Sequence, residues 1–256
     1  SFRNIKITMK AIPNFYKIII SPIYYLIHKN LFFGLLHKKF FKYFYYRNYK
    51  FNLDNLNLPI EHYSSFLWKT YELNDRILIE RNLNNKNRCI IIGGGLGFIG
   101  TIAYHKTKNK ILCFEINKKI INTLKTNLNN NNVKYTLFNK NLSFTKKVNS
   151  NHYYKSDNFL ENSIYRKSKK KVPLNNIFKE KIKKFKDFNT LIIDGEGIED
   201  YYIKNIKLVK NIKYIYFELH HDILDEKQKK ILFKTLNKNK FYLKDKFINS
   251  FYFAKK

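Results

Sequence analysis

A run of apolar residues followed by closely spaced glycines, CIIIGGGLGFIG at residues 89–100, is the feature that most constrains the fold. Four consecutive apolar residues just before a glycine are typical of a strand that is buried on both faces of a parallel sheet. The glycines allow a sharp turn, and residues 98–105 after them have the pattern of a helix. A strand, a glycine turn and a helix in this order open a nucleotide-binding α/β unit.

The segments after the turn continue the alternation of strands and helices. Further buried strands are predicted at residues 110–115, 133–139, 189–194 and 213–220. Residues 241–256 are predicted to close the chain as an antiparallel hairpin. The fold class that follows is α/β, with a doubly wound, mostly parallel, Rossmann-like sheet of about seven strands. A polar, basic stretch at 143–171 interrupts the alternation, and long loops of this kind are often functional.

The first 60 residues are basic and rich in Phe and Tyr, and we expect mostly helix there. We therefore divide the chain into an N-terminal helical extension, residues 1–66, and an α/β domain, residues 67–256. The apolar run from Phe15 to Ile27 is too short to span a bilayer, which takes about 20 residues. The extension is interpreted as an arm packed on the domain, with contact between residues 1–50 and a membrane surface as the alternative.

Two properties bear on location and partners. Cys89 and Cys113 lie in apolar strands, so we expect buried thiols and a cytoplasmic protein, with or without contact with the inner face of the membrane. The formal net charge is +31. Lys, Asn, Ile, Phe and Tyr all have A/T-rich codons, so genome composition contributes to this charge. It also fits nucleic acid, anionic membranes and anionic substrates without distinguishing them.

The glycine turn can be interpreted in two registers. Starting at Gly95 and ending at Gly100, it matches the Gly-x-Gly-x-x-Gly pattern of NAD enzymes. The strand would then continue through Gly93 and Gly94, where glycine weakens a strand. The other register starts directly after the strand and uses Gly93, Gly95 and Gly97. This second register is favoured, but the turn by itself leaves NAD and S-adenosylmethionine open.

Carboxylates and histidines follow the other predicted strands. Glu115 closes the second strand, where a carboxylate can accept both hydroxyl groups of an adenosine ribose. The segments LIIDGEGIED, 191–200, and FELHH, 217–221, follow two later strands. Their side chains of interest are Asp194, Glu196, Glu199, Glu218, His220 and His221. Because carboxyl ends of parallel strands line the ligand crevice, we expect these groups to face a ligand.

Together these motifs resemble the FkbM-type methyltransferases, a class I family that uses S-adenosylmethionine. The matching segments are GGGLGF at 93–98, Glu115, VPLNNIF at 172–178, IDGEGIE at 193–199, FELH at 217–220 and YEL at 71–73. The resemblance covers about residues 68–254. One position departs from it, because Ile91 stands where the family's glycine motif usually has an acidic residue.

The resemblance implies an enzyme that transfers a methyl group from S-adenosylmethionine to a hydroxyl of a sugar, glycan, glycolipid or natural product. The implied cofactor-binding residues are Gly93, Gly95, Gly97, Phe98, Glu115 and Ile116. An alcohol must lose its proton, so a general base is expected, with Asp194, Glu196 and His220 as candidates. Glu199, Glu218 and His221 are assigned to the substrate. The spacing of these groups demands no metal ion, and none is predicted.

Two alternatives stay open. An RNA methyltransferase would use the basic charge. However, no proline follows Asp194 as it does in enzymes that methylate a base nitrogen. Ribose 2′-O-methylating enzymes typically use a lysine beside the acidic site, and no lysine lies in IDGEGIED. Nucleic acid is therefore the less favoured partner. A catalytically silent domain that only binds partners is the other alternative, and Ile91 is the residue that supports it. The methyl acceptor, the base and the oligomeric state are not specified by these motifs.

Overall fold

The structure is a computed structural model of the chain. It describes residues 30–54, 56, 58–145, 152–155, 170–173, 175–195, 197–220 and 224–255, with the backbone alone at 152–155 and 170–173. The predictions for the run from Phe15 to Ile27, for Glu196 and for His221 fall outside these residues.

The helices match the predicted α/β alternation. They are α1 (Leu31–Phe40), α2 (Ile60–Leu67), α3 (Leu73–Asn82), α4 (Phe98–Thr107), α5 (Ile121–Asn130), α6 (Glu199–Lys204) and α7 (Glu226–Lys238). The start of α7 is fixed by hydrogen bonds from its capping residue. At α7 the Asp225 side chain accepts from the Gln228 amide at 2.7 Å, and the Gln228 side chain accepts from the Asp225 amide at 2.9 Å. This is a capping box, which satisfies two backbone donors at once.

Thirteen strands lie in the described residues. They are β1 (Tyr43–Tyr46), β2 (Tyr49–Asn52), β3 (Cys89–Ile92), β4 (Ile111–Phe114), β5 (Tyr135–Phe138), β6 (Asn141–Ser143), β7 (His152–Lys155), β8 (Lys170–Pro173), β9 (Asn176–Phe178), β10 (Thr190–Ile193), β11 (Tyr214–Glu218), β12 (Phe241–Phe247) and β13 (Ser250–Lys255). Four of them, β6 to β9, lie in or beside the basic stretch at 143–171, where only a loop was predicted. They form two separate two-stranded sheets.

The central sheet has seven strands in the order β12-β13-β11-β10-β3-β4-β5. The five strands from β11 to β5 are parallel, and β13 is antiparallel to both β11 and β12. Every residue of β3, β4 and β10 is buried, as their largely apolar sequences predict. The predicted fold class, a mostly parallel Rossmann-like sheet with a C-terminal antiparallel hairpin, is confirmed. The strand order reverses between β3 and β10, which is where such sheets open a crevice.

The chain divides into two compact units. Among the described residues the first contains 30–41 and Pro59–Tyr71, and the second contains Lys42–Leu58 and Glu72–Lys256. In the first unit, α1 and α2 approach so closely that a Cβ at Gly34 would overlap the Ile60 carbonyl oxygen. Burial lowers the pKa of His37 in this unit to about 4, so its ring is neutral at pH 7.

None of the helices in the described part of the chain is long and apolar enough to cross a membrane. Leu31, Phe32 and Leu35 of α1 have more than half of their surface exposed. Membrane contact through residues 1–50 stays a prediction.

The helical prediction for the first 60 residues was wrong at residues 43–52, which form the β1–β2 hairpin. Phe44 and Phe51 face each other across the hairpin and pack on the Phe98 ring, with centroid distances of 5.5 and 5.2 Å. The Asn52 amide donates to Asn127 Oδ1 at 2.6 Å. Aromatic residues suit a half-buried pleated surface, so this packing outweighs any local helical preference. The hairpin therefore belongs to the α/β unit and covers the start of α4.

The two cysteines are buried, as predicted, with at most 1% of their surface exposed. Burial raises the pKa of the Cys89 and Cys113 thiols, so little of the reactive thiolate forms at neutral pH. We expect no alkylation of either cysteine by iodoacetamide in the native protein and complete alkylation in denaturant, as measured by mass spectrometry. Rapid labelling of the native protein would contradict the burial of these strands.

Candidate active site

The glycine turn begins where β3 ends, at Ile92. Gly93, Gly95 and Gly97 have φ angles of 83°, 49° and 83°. Residues with a Cβ rarely adopt this left-handed region, so the three alternate glycines are the ones that the turn requires. The register that starts at Gly93 is therefore the one that the backbone adopts.

The turn is held against the neighbouring strand by backbone hydrogen bonds. The amides of Gly93 and Gly94 both donate to the Phe114 carbonyl at 3.0 Å. Gly100, the last glycine of the other register, lies inside α4, where a Cβ would be 3.2 Å from the Ile111 side chain. Gly100 thus serves helix–strand packing.

Glu115 lies beside this turn, directly after β4. Its Oε2 accepts from the Gly95 amide at 3.0 Å and its Oε1 from the Asn117 amide at 2.8 Å. Only 7% of its surface is exposed. Burial raises the pKa of the Glu115 carboxyl, and the amides of Asn117 and Gly95 oppose this effect. The carboxylate is thus fixed next to the glycine turn, as its position in the sequence predicted.

Phe98 and Ile116, the other two predicted cofactor residues, differ in how far their side chains are buried. Phe98 is 1% exposed because its ring packs against the β1–β2 hairpin. Its side chain therefore does not line the crevice, which corrects the prediction and leaves only its backbone for a ligand. Ile116 is partly buried and follows Glu115 directly, and its role in holding the cofactor stays a prediction.

Acidic side chains meet a histidine at the ends of β10 and β11. Asp194 follows β10, Glu218 ends β11 and His220 follows it. One carboxylate oxygen from each acid and one ring nitrogen of the histidine lie within 4.8 Å of one another. We call these three residues the strand-end cluster. The Asp194 amide donates to the Ile92 carbonyl at 3.0 Å, so the cluster is next to the glycine turn.

Two further acids, Glu72 and Asp75, come from the start of α3. Asp75 is 5% exposed, and its Oδ2 has no hydrogen-bond partner among the described residues. Sequence reasoning missed both acids as site residues. A signal was present for Asp75, because it is three and four positions before the buried Leu78 and Ile79 and so shares their helix face.

Burial, followed by the crowding of acids, sets the electrostatics of this edge. Burial, together with the nearby carboxylates of Asp75, Glu72 and Glu218, raises the pKa of Asp194 well above its usual range. Burial and Glu218 likewise raise the pKa of Asp75. Two like charges about 5 Å apart repel by about 3 kcal/mol at an effective dielectric constant of about 20. A positive group is therefore favoured here. Glu196, the other carboxylate predicted as a candidate base, is outside the described residues.

His220 is oriented by a buried acid. Its Nδ1 lies 2.9 Å from Glu199 Oε1, and Glu199 is completely buried as the first residue of α6. A carboxylate at the start of a helix is favoured by the helix dipole. The assignment of Glu199 to the substrate is corrected, because a fully buried side chain that contacts His220 positions the histidine instead.

Comparisons with known proteins give distant likenesses only. No known family profile matches the chain, and no curated protein matches it. A methyltransferase from Pyrococcus furiosus is 14% identical, with 93% of this chain and 98% of that chain covered and a TM-score of 0.45. The ribosomal protein L11 methylase from Lactobacillus delbrueckii is 14% identical, with coverages of 70% and 75% and a TM-score of 0.44. TYW2 from P. horikoshii, solved with MeSAdo, is 9% identical, with coverages of 83% and 68% and a TM-score of 0.48.

Proposed function

We propose that this protein is an S-adenosylmethionine-dependent methyltransferase of the FkbM type that methylates a hydroxyl oxygen. The observation that carries the proposal is the acidic edge directly beside the glycine turn. Six of the 19 acidic residues of a chain with net charge +31 lie at or next to this edge. They are Glu72, Asp75, Glu115, Asp194, Glu199 and Glu218.

The charge of the edge favours this cofactor over NAD. S-adenosylmethionine carries a sulfonium cation, whereas NAD carries a pyrophosphate with two negative charges. Carboxylates such as Asp194 and Glu218 attract the first and repel the second. The sheet agrees with this choice, since the NAD-binding order has six parallel strands and here β13 is antiparallel.

The cofactor would lie along the turn, with its ribose on Glu115. The carboxylate can accept from both ribose hydroxyls, and the left-handed turn at Gly93, Gly95 and Gly97 brings backbone without Cβ atoms to the methionine part. Ile91 is 1% exposed within the sheet. The polar contact that the family makes from that position is therefore not made by this residue.

The acceptor hydroxyl would face the strand-end cluster. Methyl transfer needs the hydroxyl oxygen in line with the sulfonium methyl group, so positioning of the two reactants is the main task. Asp194 and His220 are the groups proposed to take up the hydroxyl proton, with His220 held in orientation by Glu199. A neutral sugar or glycan hydroxyl suits the acidic edge, whereas a phosphate backbone would be repelled by it.

The test is S-adenosylhomocysteine formation from S-adenosylmethionine with three groups of acceptors: sugars and oligosaccharides, glycolipids, and RNA. We expect product with a hydroxyl acceptor of the first two groups. Product with RNA alone would replace the proposal by RNA methylation, for which the net charge of +31 is the supporting observation. Binding of cofactor without any product in all three groups would favour the silent domain.

Replacing Asp194 by asparagine is expected to lower kcat/KM about 100-fold or more, because proton transfer by a positioned base contributes about 10²- to 10⁴-fold. Asparagine keeps the shape of the side chain, so S-adenosylhomocysteine affinity should change little. Steady-state kinetics and calorimetry measure the two quantities. Asp187→Asn is the control, because this exposed acid lies in a short helix before β10. A variant at Asp194 with wild-type kcat/KM would remove it from the mechanism.

A further inference from the structure

We infer that Asp194, Glu218 and His220 bind a divalent cation. Their ligand atoms, two carboxylate oxygens and one imidazole nitrogen, lie within 4.8 Å of one another. Ligand atoms on an ion such as Mg²⁺, at about 2.1 Å each, are separated by about 3–4 Å. A small rotation of these partly buried side chains is enough to reach that separation.

The orientation of His220 is the one found for metal-bound histidines. Such residues donate the N–H of one ring nitrogen to a carboxylate or carbonyl and bind the metal with the other. The Glu199 carboxylate, completely buried, lies 2.9 Å from Nδ1 and fixes the proton there. Nε2 is then the nitrogen that we assign to the cation.

The environment of Asp75 independently supports a cation at this edge. Asp75 is 95% buried, and its Oδ2 has no hydrogen-bond partner among the described residues, although the nearby Ser250 hydroxyl lowers the pKa of this carboxyl. Its carboxylate is close enough to Glu218 and His220 to interact with both of them electrostatically. A buried carboxylate oxygen without a partner is unfavourable, and a cation beside it offsets the cost.

The lysines and arginines of the described residues do not neutralise this edge. The chain has 50 lysine and arginine residues. In the part that the structure describes, none of them forms an ion pair with Asp75, Asp194 or Glu218. Within the described residues these three neighbouring carboxylates have no ion pair with a lysine or arginine, so we infer that this edge is available to a cation from solution.

The ligand set specifies the class of ion. Two carboxylates with one imidazole suit Mg²⁺ or Mn²⁺ better than the soft ions, which prefer thiolates. The role of the ion rests on the proposed function: it would bind the acceptor hydroxyl oxygen beside the glycine turn, orient it and lower its pKa. His220 is then a ligand of the cation instead of a base, and the carboxylate oxygen of Asp194 that does not bind the ion takes up the hydroxyl proton.

The experiment is a titration of the full chain with Mn²⁺, in which the electron paramagnetic resonance signal of the free ion reports binding. We expect one site, with affinity lowered at least ten-fold by Glu218→Gln and by Asp194→Asn. Glu199→Gln should lower affinity about 10- to 100-fold, as loss of a carboxylate that orients a histidine ligand does. Asp187→Asn, an acid outside the strand-end cluster, should leave it unchanged.

Two results would overturn the inference: no binding of Mn²⁺ by the wild-type chain, or binding that Glu218→Gln and Asp187→Asn affect equally. Calorimetry with S-adenosylhomocysteine on the same samples checks that the variants are folded. It also separates the two proposals. Mn²⁺ binding without S-adenosylhomocysteine binding would keep the metal site and reject the methyltransferase, and the reverse result would reject the metal site alone.

Discussion

Replacing Gly93 by alanine is expected to lower the free energy of unfolding by about 3 kcal/mol or more. Gly93 has a φ of 83°, which alanine rarely adopts. In addition, a Cβ at this position would overlap the Asp194 backbone carbonyl. The first effect costs about 1–3 kcal/mol. The second cannot be relieved by a side-chain rotation, because β3 and β10 would have to separate.

Urea unfolding measures this loss, and Gly100→Ala is the matched control. Gly100 lies inside α4, where alanine is the better helix former by about 1 kcal/mol. The nearest atom to its new Cβ would be 3.2 Å away, at the flexible end of the Ile111 side chain. We expect the free energy of unfolding of Gly100→Ala to lie within about 1 kcal/mol of the wild-type value. Equal losses for the two variants would show that the left-handed turn is not the structural requirement.

Replacing Glu115 by glutamine is expected to weaken S-adenosylhomocysteine binding about 10- to 100-fold, because a hydrogen bond to a charged group contributes about 1.5–3 kcal/mol. Glutamine keeps the size of the side chain but loses the charge and one acceptor oxygen. That oxygen would serve either a ribose hydroxyl or the Gly95 amide, which Oε2 now accepts at 3.0 Å. Isothermal titration calorimetry measures the change.

Glu180→Gln is the control for the Glu115 variant, because Glu180 is an exposed acid in a short helix far along the chain from the turn. The affinity of the Glu180→Gln variant for S-adenosylhomocysteine should equal that of the wild type. Both variants should unfold within a few degrees of the wild-type chain. Unchanged affinity in a folded Glu115→Gln would mean that this carboxylate does not hold the ribose.

The sequence predicted the sheet well because the signal is local. In β3, β4 and β10 every residue is buried and all but Thr190 are apolar, and glycines or acids mark the strand ends. Since carboxyl ends of parallel strands lie at one edge, Glu115, Asp194 and Glu218 could be assigned to a common crevice before their positions were known. The register of the turn that uses Gly93, Gly95 and Gly97 could be predicted from the position at which β3 ends.

Features that depend on distant contacts were not predictable in the same way. The β1–β2 hairpin is specified by packing of Phe44 and Phe51 on Phe98, about 50 residues later. The pair of Glu199 and His220 depends on how α6 sits against the end of β11. Asp75 reaches the edge only because α3 packs beside that sheet edge. The hydrophobic periodicity of a helix or strand indicates which of its faces is buried, but it does not indicate which distant residues that face contacts.

The net charge illustrates the same limit. A net charge of +31 fitted either genome composition or an anionic partner, yet the edge of the sheet beside the glycine turn is acidic. Composition sums charges over the whole chain, whereas affinity for a ligand depends on the groups within a Debye length of about 10 Å. The proposed cofactor and the proposed cation both follow from the local charge.

The most direct test of the account is calorimetric titration of the purified wild-type chain with S-adenosylhomocysteine and, separately, with NAD. The account predicts micromolar binding of S-adenosylhomocysteine at one site and no detectable binding of NAD, because the acidic edge repels a pyrophosphate. Binding of NAD, or no binding of either ligand, would contradict the assignment of Gly93, Gly95, Gly97 and Glu115 to S-adenosylmethionine.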